Sequence, residues 1–204
     1  MIDERIKGIL YSQGYERSDL AITATYPLGR ITAQYRNLNG MNDSFMIEIV
    51  YMHRIPLLPE DAIGMFRHIG TGERFPIKTP RHEELFANNW STLLYRGSSR
   101  DLFDVYQISK MNMDQEVFRK CAVVESLMRG LPKLYEVDAL KVVEPIPIDS
   151  GLRNLLQADK VKAYDFNQLK REVLKFCKDS ISRLTHREIC LLYTSPSPRD
   201  RTRS

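Results

Sequence analysis

The chain has 204 residues, of which 43% are hydrophobic and 27% are charged, and its formal net charge is +4. These values are typical of a globular domain that can bury a sizeable core. No apolar run reaches the roughly 18 residues that a membrane-spanning helix needs, and the N-terminal segment MIDERIKG lacks the apolar core of a signal peptide. Membrane insertion and secretion are therefore not indicated, and we expect a cytoplasmic protein.

Neither the net charge nor the cysteines identify a function. Residues 199–203 carry three arginines and one aspartate, so half of the surplus positive charge lies at the C-terminal end. The remaining sequence has no basic footprint of the kind that binds nucleic acid. Cys121, Cys177 and Cys190 are odd in number and far apart, which argues against a disulfide framework or a zinc site. We expect buried or unreactive thiols.

The N-terminal part of the chain predicts one helix and three strands. Apolar residues at helical spacing predict a helix over residues 2–13, and β-type patterns predict strands at 20–26, 30–36 and 44–52. The last strand, SFMIEIVYM, is almost continuously apolar, so we expect it to be a central strand covered on both faces.

Residues 53–80 are rich in Pro, Gly and His. This composition predicts a long loop, in which the apolar residues indicate a short helix at 61–66 and a strand near 75–78.

Glu48 lies in the middle of the strand predicted at 44–52. A carboxylate in a central strand costs free energy unless it is paired with a cation or bound to a metal. Two interpretations are open at this point, namely a glutamate at an edge or paired with an arginine, and a metal ligand.

Residues 83–106, EELFANNWSTLLYRGSSRDLFDVY, contain the only dense cluster of charge at regular spacing. Apolar residues at helical intervals predict two helices, and Gly97-Ser98-Ser99 predicts the break between them. Thr79-Pro80 supplies a cap residue followed by proline at the first helical position, so we expect the first helix to begin there. Ser98 and Asp101 form a capping-box-like start of the second helix.

Asp101 and Asp104 lie one turn apart on the second predicted helix, so their carboxylates share one face. In a structural interpretation, Asp101 is a cap or a partner of the helix dipole, and Asp104 forms a salt bridge with Arg100 or Arg96. In a functional interpretation, paired carboxylates near arginines help to hold a divalent metal and the phosphates that it bridges. The spacing alone does not decide between them.

Residues 83–106 resemble a conserved block of the AbiEii/AbiGii toxin family of nucleotidyltransferases, whose pattern is close to EELFAxKxxALxxRxxxRDLFDxY. Asn89 departs from the pattern, because the family has at that position a lysine that is thought to contact the nucleotide phosphates. The matching residues are Glu84, Leu85, Phe86, Ala87, Leu93, Arg96, Arg100, Asp101, Leu102, Phe103, Asp104 and Tyr106.

The resemblance implies a Mg2+-dependent transfer of a nucleotide from an NTP onto an acceptor such as tRNA, with a cognate antitoxin as partner. It implies an α+β fold, in which a partial nucleotidyltransferase-like mixed sheet core over residues 1–80 precedes a helical region over residues 81–190. By the same resemblance Glu48 is a candidate metal ligand. The candidate catalytic residues are Asp101 and Asp104, and the candidate phosphate or acceptor contacts are Arg96, Arg100 and Asn89.

The family's Asp-x-Asp motif is expected ahead of the first helix and does not occur in this chain. The chain is therefore expected to be a truncated member that is inactive alone. The alternative is a non-catalytic helical module that binds an antitoxin or another partner, in which the face that carries Asp101 and Asp104 is structural.

The C-terminal sequence predicts further helices at 114–129, 151–157 and 165–183, with a connecting segment at 131–148 that contains three prolines. Residues 191–204, LLYTSPSPRDRTRS, change abruptly to Ser, Pro, Thr and Arg, and we expect a disordered tail. This tail resembles translated sequencing-adapter read-through, so it is expected to be artefactual. The basic face of the last helix is either solvated or binds RNA; it carries Lys170, Arg171, Lys175 and Lys178.

Overall fold

The computed structural model describes residues 2–25, 28–51, 55–59, 62–68, 70–131, 133–154, 156 and 164–194. Within these residues the chain forms helices and two small antiparallel sheets, which confirms the predicted α+β class. The chain divides into two compact units, Met1–Ile55 and Pro56–Ser204. The division predicted at residues 80 and 81 separates sheet-rich from helix-rich sequence and stays a prediction about domains.

The first unit consists of helix α1 (Ile2–Ser12) and strands β1 (Leu20–Thr25), β2 (Leu28–Arg36) and β3 (Asn42–Val50). All four elements lie close to their predicted positions. The strands form an antiparallel meander in the order β1-β2-β3. The middle strand supplies the buried side chains of this sheet, including Ile31, which is 2% exposed.

The strand that was predicted to be central is an edge strand among the described residues. β3 pairs with β2 alone, and Phe45, Met46 and Val50 are 37%, 52% and 59% exposed. The reason is connectivity, because an antiparallel meander joined by short turns places its second strand in the middle. The nearly continuous apolar run therefore reflects β-propensity and not burial on both faces.

The second unit begins with a hairpin of β4 (Ala62–Arg67) and β5 (Arg74–Thr79). The strand predicted at 75–78 is confirmed. The short helix predicted at 61–66 is wrong because β4 occupies this stretch; Asp61 itself lies outside the described residues. Cross-strand pairing with β5, which a local pattern does not encode, selects the strand.

The rest of the second unit is helical. Four of its helices confirm predicted ones, and no helix in the described residues is both long and apolar enough to cross a membrane. Of the helix predicted at 151–157, only the first part is seen as α6, and residues 155 and 157 lie outside the described residues. The helices are α2 (His82–Arg96), α3 (Ser99–Ile108), α4 (Gln115–Met128), α5 (Ala139–Val143), α6 (Ser150–Arg153), α7 (Phe166–Ser182) and α8 (His186–Thr194).

Helix α2 starts later than Thr79-Pro80 predicted. Arg81 is its N-cap residue and His82 its first helical residue. Thr79 is the last residue of β5, and its hydroxyl donates a hydrogen bond to the carbonyl oxygen of Ala62 at 3.5 Å. The hairpin holds Thr79 in an extended conformation, so it does not cap the helix.

The core of the second unit is formed where α2 packs against α3 and α4, and where α7 packs against α3 and α5. Its largest side chains are almost completely shielded from solvent. They include Trp90, Leu93, Leu102, Phe118 and Leu169, none of which is more than 1% exposed.

The segment 131–148, which was predicted to be a connection, contains regular structure. It forms α5 and a 3-10 turn at Leu134–Glu136. Leu134 and Val143 are fully buried in the core. These two side chains fill space between the long helices. The sequence pattern within the segment does not reveal this, because it contains no information about the neighbouring helices.

The tail predicted to be disordered is helical in its first residues. Residues 191–194 belong to α8, in which Leu192 is fully buried. Glu188 of the same helix accepts hydrogen bonds from Nε of Arg119 on α4, both at 3.0 Å. Residues 195–204 lie outside the described residues.

The Leu192→Ala substitution is expected to lower the free energy of unfolding by about 2–5 kcal/mol, because it empties a fully buried site. Chemical denaturation of the full chain measures this. Leu191→Ala is the matched control, since the Leu191 side chain is 48% exposed and its truncation is expected to cost far less. Equal stabilities of the two variants would show that α8 is not packed on the core in solution.

Candidate functional site

The candidate residues of the second unit surround the turn that joins α2 to α3. Gly97 ends α2 in the left-handed conformation, with φ 61° and ψ 49°, and its N–H donates to the carbonyl oxygen of Leu93 at 2.9 Å. Residues with a side chain rarely adopt this conformation, so the glycine allows α2 to stop and the chain to turn at once into α3. Ser98 then caps α3, as predicted.

Asp101 is locked at the centre of this turn. Nε and Nη2 of Arg96 donate to its two carboxylate oxygens, each at 2.7 Å, and the Ser98 hydroxyl donates to Oδ2 at 2.6 Å. In return the Asp101 N–H donates to Ser98 Oγ at 3.3 Å. Asp101 is only 5% exposed. This arrangement is the cap that the structural interpretation predicted, extended by a bidentate arginine.

The environment keeps Asp101 ionised. Burial alone raises the pKa of a carboxyl group, but the hydrogen bonds from Arg96 and Ser98 and the positive charge of Arg96 outweigh it and lower the pKa of Asp101 below its usual value. Because both carboxylate oxygens are occupied, Asp101 has little capacity left for a ligand.

Asp104 differs from Asp101 in its exposure, in its contacts and in the direction of its pKa shift. It lies on the exposed side of α3, and no described side chain forms a hydrogen bond or ion pair with its carboxylate. Partial desolvation and the nearby negative charge of Asp101 raise the pKa of Asp104, while Arg100 and Arg96 oppose the rise. The predicted salt bridge to an arginine is not formed.

Arg96 and Asn89 lie two turns apart on α2 and therefore on one side of the helix. Asn89 is exposed, and the Arg96 side chain is 59% exposed although its guanidinium is held by Asp101. Arg100, in the first turn of α3, is also exposed. Its positive charge acts on the carboxyl groups of Asp104 and Asp149, but it forms no hydrogen bond or close ion pair with a described side chain. The turn thus brings together Arg96, Arg100, Asp101 and Asp104, with Asn89 further along α2.

Glu48 lies in the first unit, on β3, directly opposite Arg30 of β2. Nη2 and Nε of Arg30 donate to Glu48 Oε1 at 2.7 Å and 3.1 Å, and the two side chains are 46% and 47% exposed. This is the arginine-paired arrangement that the sequence left open. An exposed pair of this kind contributes about 0–1 kcal/mol. The role of Glu48 as a metal ligand stays a prediction.

The candidate carboxylates do not fit a divalent metal centre. Mg2+ is usually bound by one or two carboxylates together with substrate phosphates. Asp101 has both oxygens engaged, Glu48 faces an arginine, and only Asp104 is unpaired. In the described part of the chain, no three His, Cys, Asp or Glu side chains are placed to hold a metal ion. No chemical step is therefore assigned to a metal held by these residues.

Two polar contacts around the site were not predicted. The Ser99 hydroxyl donates to Asp149 Oδ1 at 2.9 Å, which ties the start of α3 to the start of α6. Asp149-Ser150 is a capping pattern that the sequence shows, but its contact with α3 is tertiary. Arg129, at the end of α4, donates to the side-chain oxygen of Asn88 on α2.

The buried thiols are not nucleophiles. Burial raises the pKa of Cys121 to about 11 and that of Cys177 to about 12, so both are protonated at neutral pH. This confirms the interpretation of these two cysteines as buried thiols. Cys190 is exposed, and its sulfur lies 3.6 Å from His186 Nε2 on the same helix.

Asp101→Asn is expected to lower the free energy of unfolding at pH 7 by about 1.5–3 kcal/mol, because it breaks a charge-assisted network in a buried position. Asp104→Asn is the matched control and should leave stability unchanged or slightly increased. Because the folded-state pKa of Asp101 is lowered, its contribution is complete above the unfolded value near 3.9 and is lost as pH falls through the folded value. Urea denaturation of the two variants at pH 7 and in acid measures their free energies of unfolding. A stability loss in Asp101→Asn that persists in acid would contradict the stabilising role of the network.

One of three comparisons with known proteins supports the family resemblance. The family model described as nucleotidyl transferase AbiEii toxin, type IV TA system, matches residues 4–184 of the chain. The comparisons with curated proteins and with solved structures found no match to the chain. The match includes both units as far as the end of α7 and covers most of the sequence. The chain therefore belongs to the AbiEii family of nucleotidyl transferase toxins of type IV toxin–antitoxin systems.

Proposed function

We propose that this chain carries the acceptor-binding part of a toxin that transfers a nucleotide from an NTP to an RNA acceptor such as tRNA. The proposal is supported by the different contacts of the charged side chains at the turn between α2 and α3. One aspartate, Asp101, immobilises one arginine, Arg96, and this leaves Arg100 and Asp104 exposed, with no hydrogen bond or close ion pair to a described side chain. An unpaired cation and an unpaired carboxylate side by side suit recognition of a phosphate and of the hydroxyl next to it.

In this proposal Arg100 contacts an acceptor phosphate, and Arg96 presents its remaining guanidinium edge at a fixed position. Asn89, on the same side of α2, can add a neutral hydrogen bond but no charge. Asp104 is the candidate base that accepts a proton from the attacking hydroxyl, because it is exposed and its raised pKa makes it a better proton acceptor than Asp101. Asp101 acts through Arg96 as a positioning residue.

Nucleotidyl transferases of this family use an NTP and Mg2+. The described residues do not supply a fitting metal centre. The Asp-x-Asp pattern does not occur in the sequence, and Asn89 lacks the positive charge that a lysine would offer to the nucleotide phosphates. We therefore propose that the chain alone is catalytically silent.

A type IV toxin–antitoxin family implies an antitoxin partner. We propose that a cognate antitoxin binds this chain and that its site of action is the cytoplasm, where tRNA and NTPs occur.

The competing proposal is a non-catalytic interaction module. Asp101 supports that proposal, because its contacts are structural, whereas the exposed and unpaired Asp104 supports a functional site.

Incubation of the purified chain with Mg2+, each radiolabelled NTP in turn and total tRNA is expected to give no labelled RNA. An active nucleotidyltransferase in a parallel reaction shows that the RNA and the nucleotides are competent. Mg2+-dependent incorporation by the wild-type chain that is lost in Asp104→Asn would contradict the proposed inactivity and would make Asp104 catalytic.

Arg100→Gln is expected to weaken binding of tRNA to the full chain several-fold and to reduce the slope of log K against log salt concentration by about one, because one phosphate contact is lost. Fluorescence anisotropy at several salt concentrations measures both quantities. Arg187→Gln is the matched control, since Arg187 is an exposed arginine on α8, a helix that packs against α4. If both variants lose the same affinity for tRNA, Arg100 contributes only non-specific positive charge.

A further inference from the structure

A groove opens beside the turn, between the last turn of α2 and the segment that follows α5. It encloses about 280 Å3 and is lined by Tyr95, Arg96, Val142, Pro145, Ile146 and Pro147, among others. Ile146, which is 3% exposed, forms its floor, whereas Tyr95 is 60% exposed at its rim. We call it the Tyr95 groove. Its volume suits one flat ring system and not a large ligand.

The lining of the Tyr95 groove favours stacking over hydrogen bonding. Tyr95 offers an aromatic ring, and Arg96 offers a guanidinium whose plane is fixed by two hydrogen bonds of 2.7 Å to Asp101. Aromatic rings and arginine planes are the surfaces on which unpaired bases stack. Pro145 and Pro147 have no backbone N–H, so the groove offers few of the donors that hold an extended peptide.

The charged residues at and near the Tyr95 groove also favour one class of ligand. Arg96 is the only charged side chain that lines the groove in the described part of the chain, and Arg100 is exposed nearby in the first turn of α3. Asp101 balances the charge of Arg96, so the positive charge available to a ligand comes from Arg100. An apolar floor next to such a cation complements a ligand whose flat apolar part is joined to a phosphate.

We propose that the Tyr95 groove binds one unpaired nucleobase of a single-stranded RNA end, stacked on Tyr95 and the Arg96 guanidinium, while Arg100 contacts the adjoining phosphate. This inference rests on the proposed function, because it takes RNA as the acceptor. It adds a base-binding subsite to a turn that otherwise recognises only phosphate and hydroxyl groups.

The test is binding of the full chain to a short fluorescein-labelled single-stranded RNA and to an abasic strand of the same length, followed by anisotropy. Tyr95→Ala is expected to weaken RNA binding roughly tenfold and to leave binding of the abasic strand unchanged, because only a base can stack. Tyr95→Phe should retain RNA affinity. Tyr193→Ala is the matched control, since Tyr193 on α8 is 78% exposed. Thermal melting should be unaffected, because Tyr95 is mostly exposed.

The outcomes separate this inference from the function on which it rests. If RNA binds and depends on Arg100 but Tyr95→Ala has no effect, the base-binding groove is overturned and the RNA-acceptor proposal stands. An equal loss on RNA and on the abasic strand also overturns it, since Tyr95 would then act on the backbone. If the wild-type chain binds neither strand, the RNA acceptor itself is wrong and the groove assignment fails with it.

Discussion

The bidentate ion pair between Arg96 and Asp101 is the interaction on which the candidate site depends. It joins the end of α2 to the first turn of α3 across a left-handed glycine, and Ser98 completes it from the cap position. An arginine fork on a carboxylate fixes both direction and distance, which a lysine in the same place would not do. The turn is therefore a defined platform, although it lies between two helices and is open to solvent on one side.

Asp101, which forms this ion pair, and Asp104, which does not, have different chemical environments. By occupying both oxygens of Asp101, the ion pair removes that carboxylate from ligand binding. Partial desolvation, together with the negative charge of Asp101, raises the pKa of Asp104, although Arg100 and Arg96 oppose the rise. Two identical side chains one turn apart thus have opposite pKa shifts. Environments that push the pKa values of two neighbouring carboxylates apart are found at acid–base sites.

Sequence reasoning predicted the helices and strands with strong periodicity and failed where a partner decides the structure. Helices α2, α3, α4 and α7 follow from apolar spacing, and the start of α3 follows from the cap Ser98. Strand β4 was predicted as a helix because its strand character depends on pairing with β5. The edge position of β3 and the burial of Leu192 likewise depend on what lies beside them, which no local window contains.

The sequence by itself determined the family, through the spacing of Arg96, Arg100, Asp101 and Asp104 in one block, and it brought these residues close together because they are neighbours in the chain. Only the tertiary structure decided their roles. Which oxygen accepts from which arginine and which carboxylate meets solvent depend on the angle at which α3 leaves Gly97 and on the contact of Ser99 with Asp149. The Tyr95 groove was invisible in the sequence for the same reason, because its two walls come from segments far apart in the chain and meet only when the helices pack.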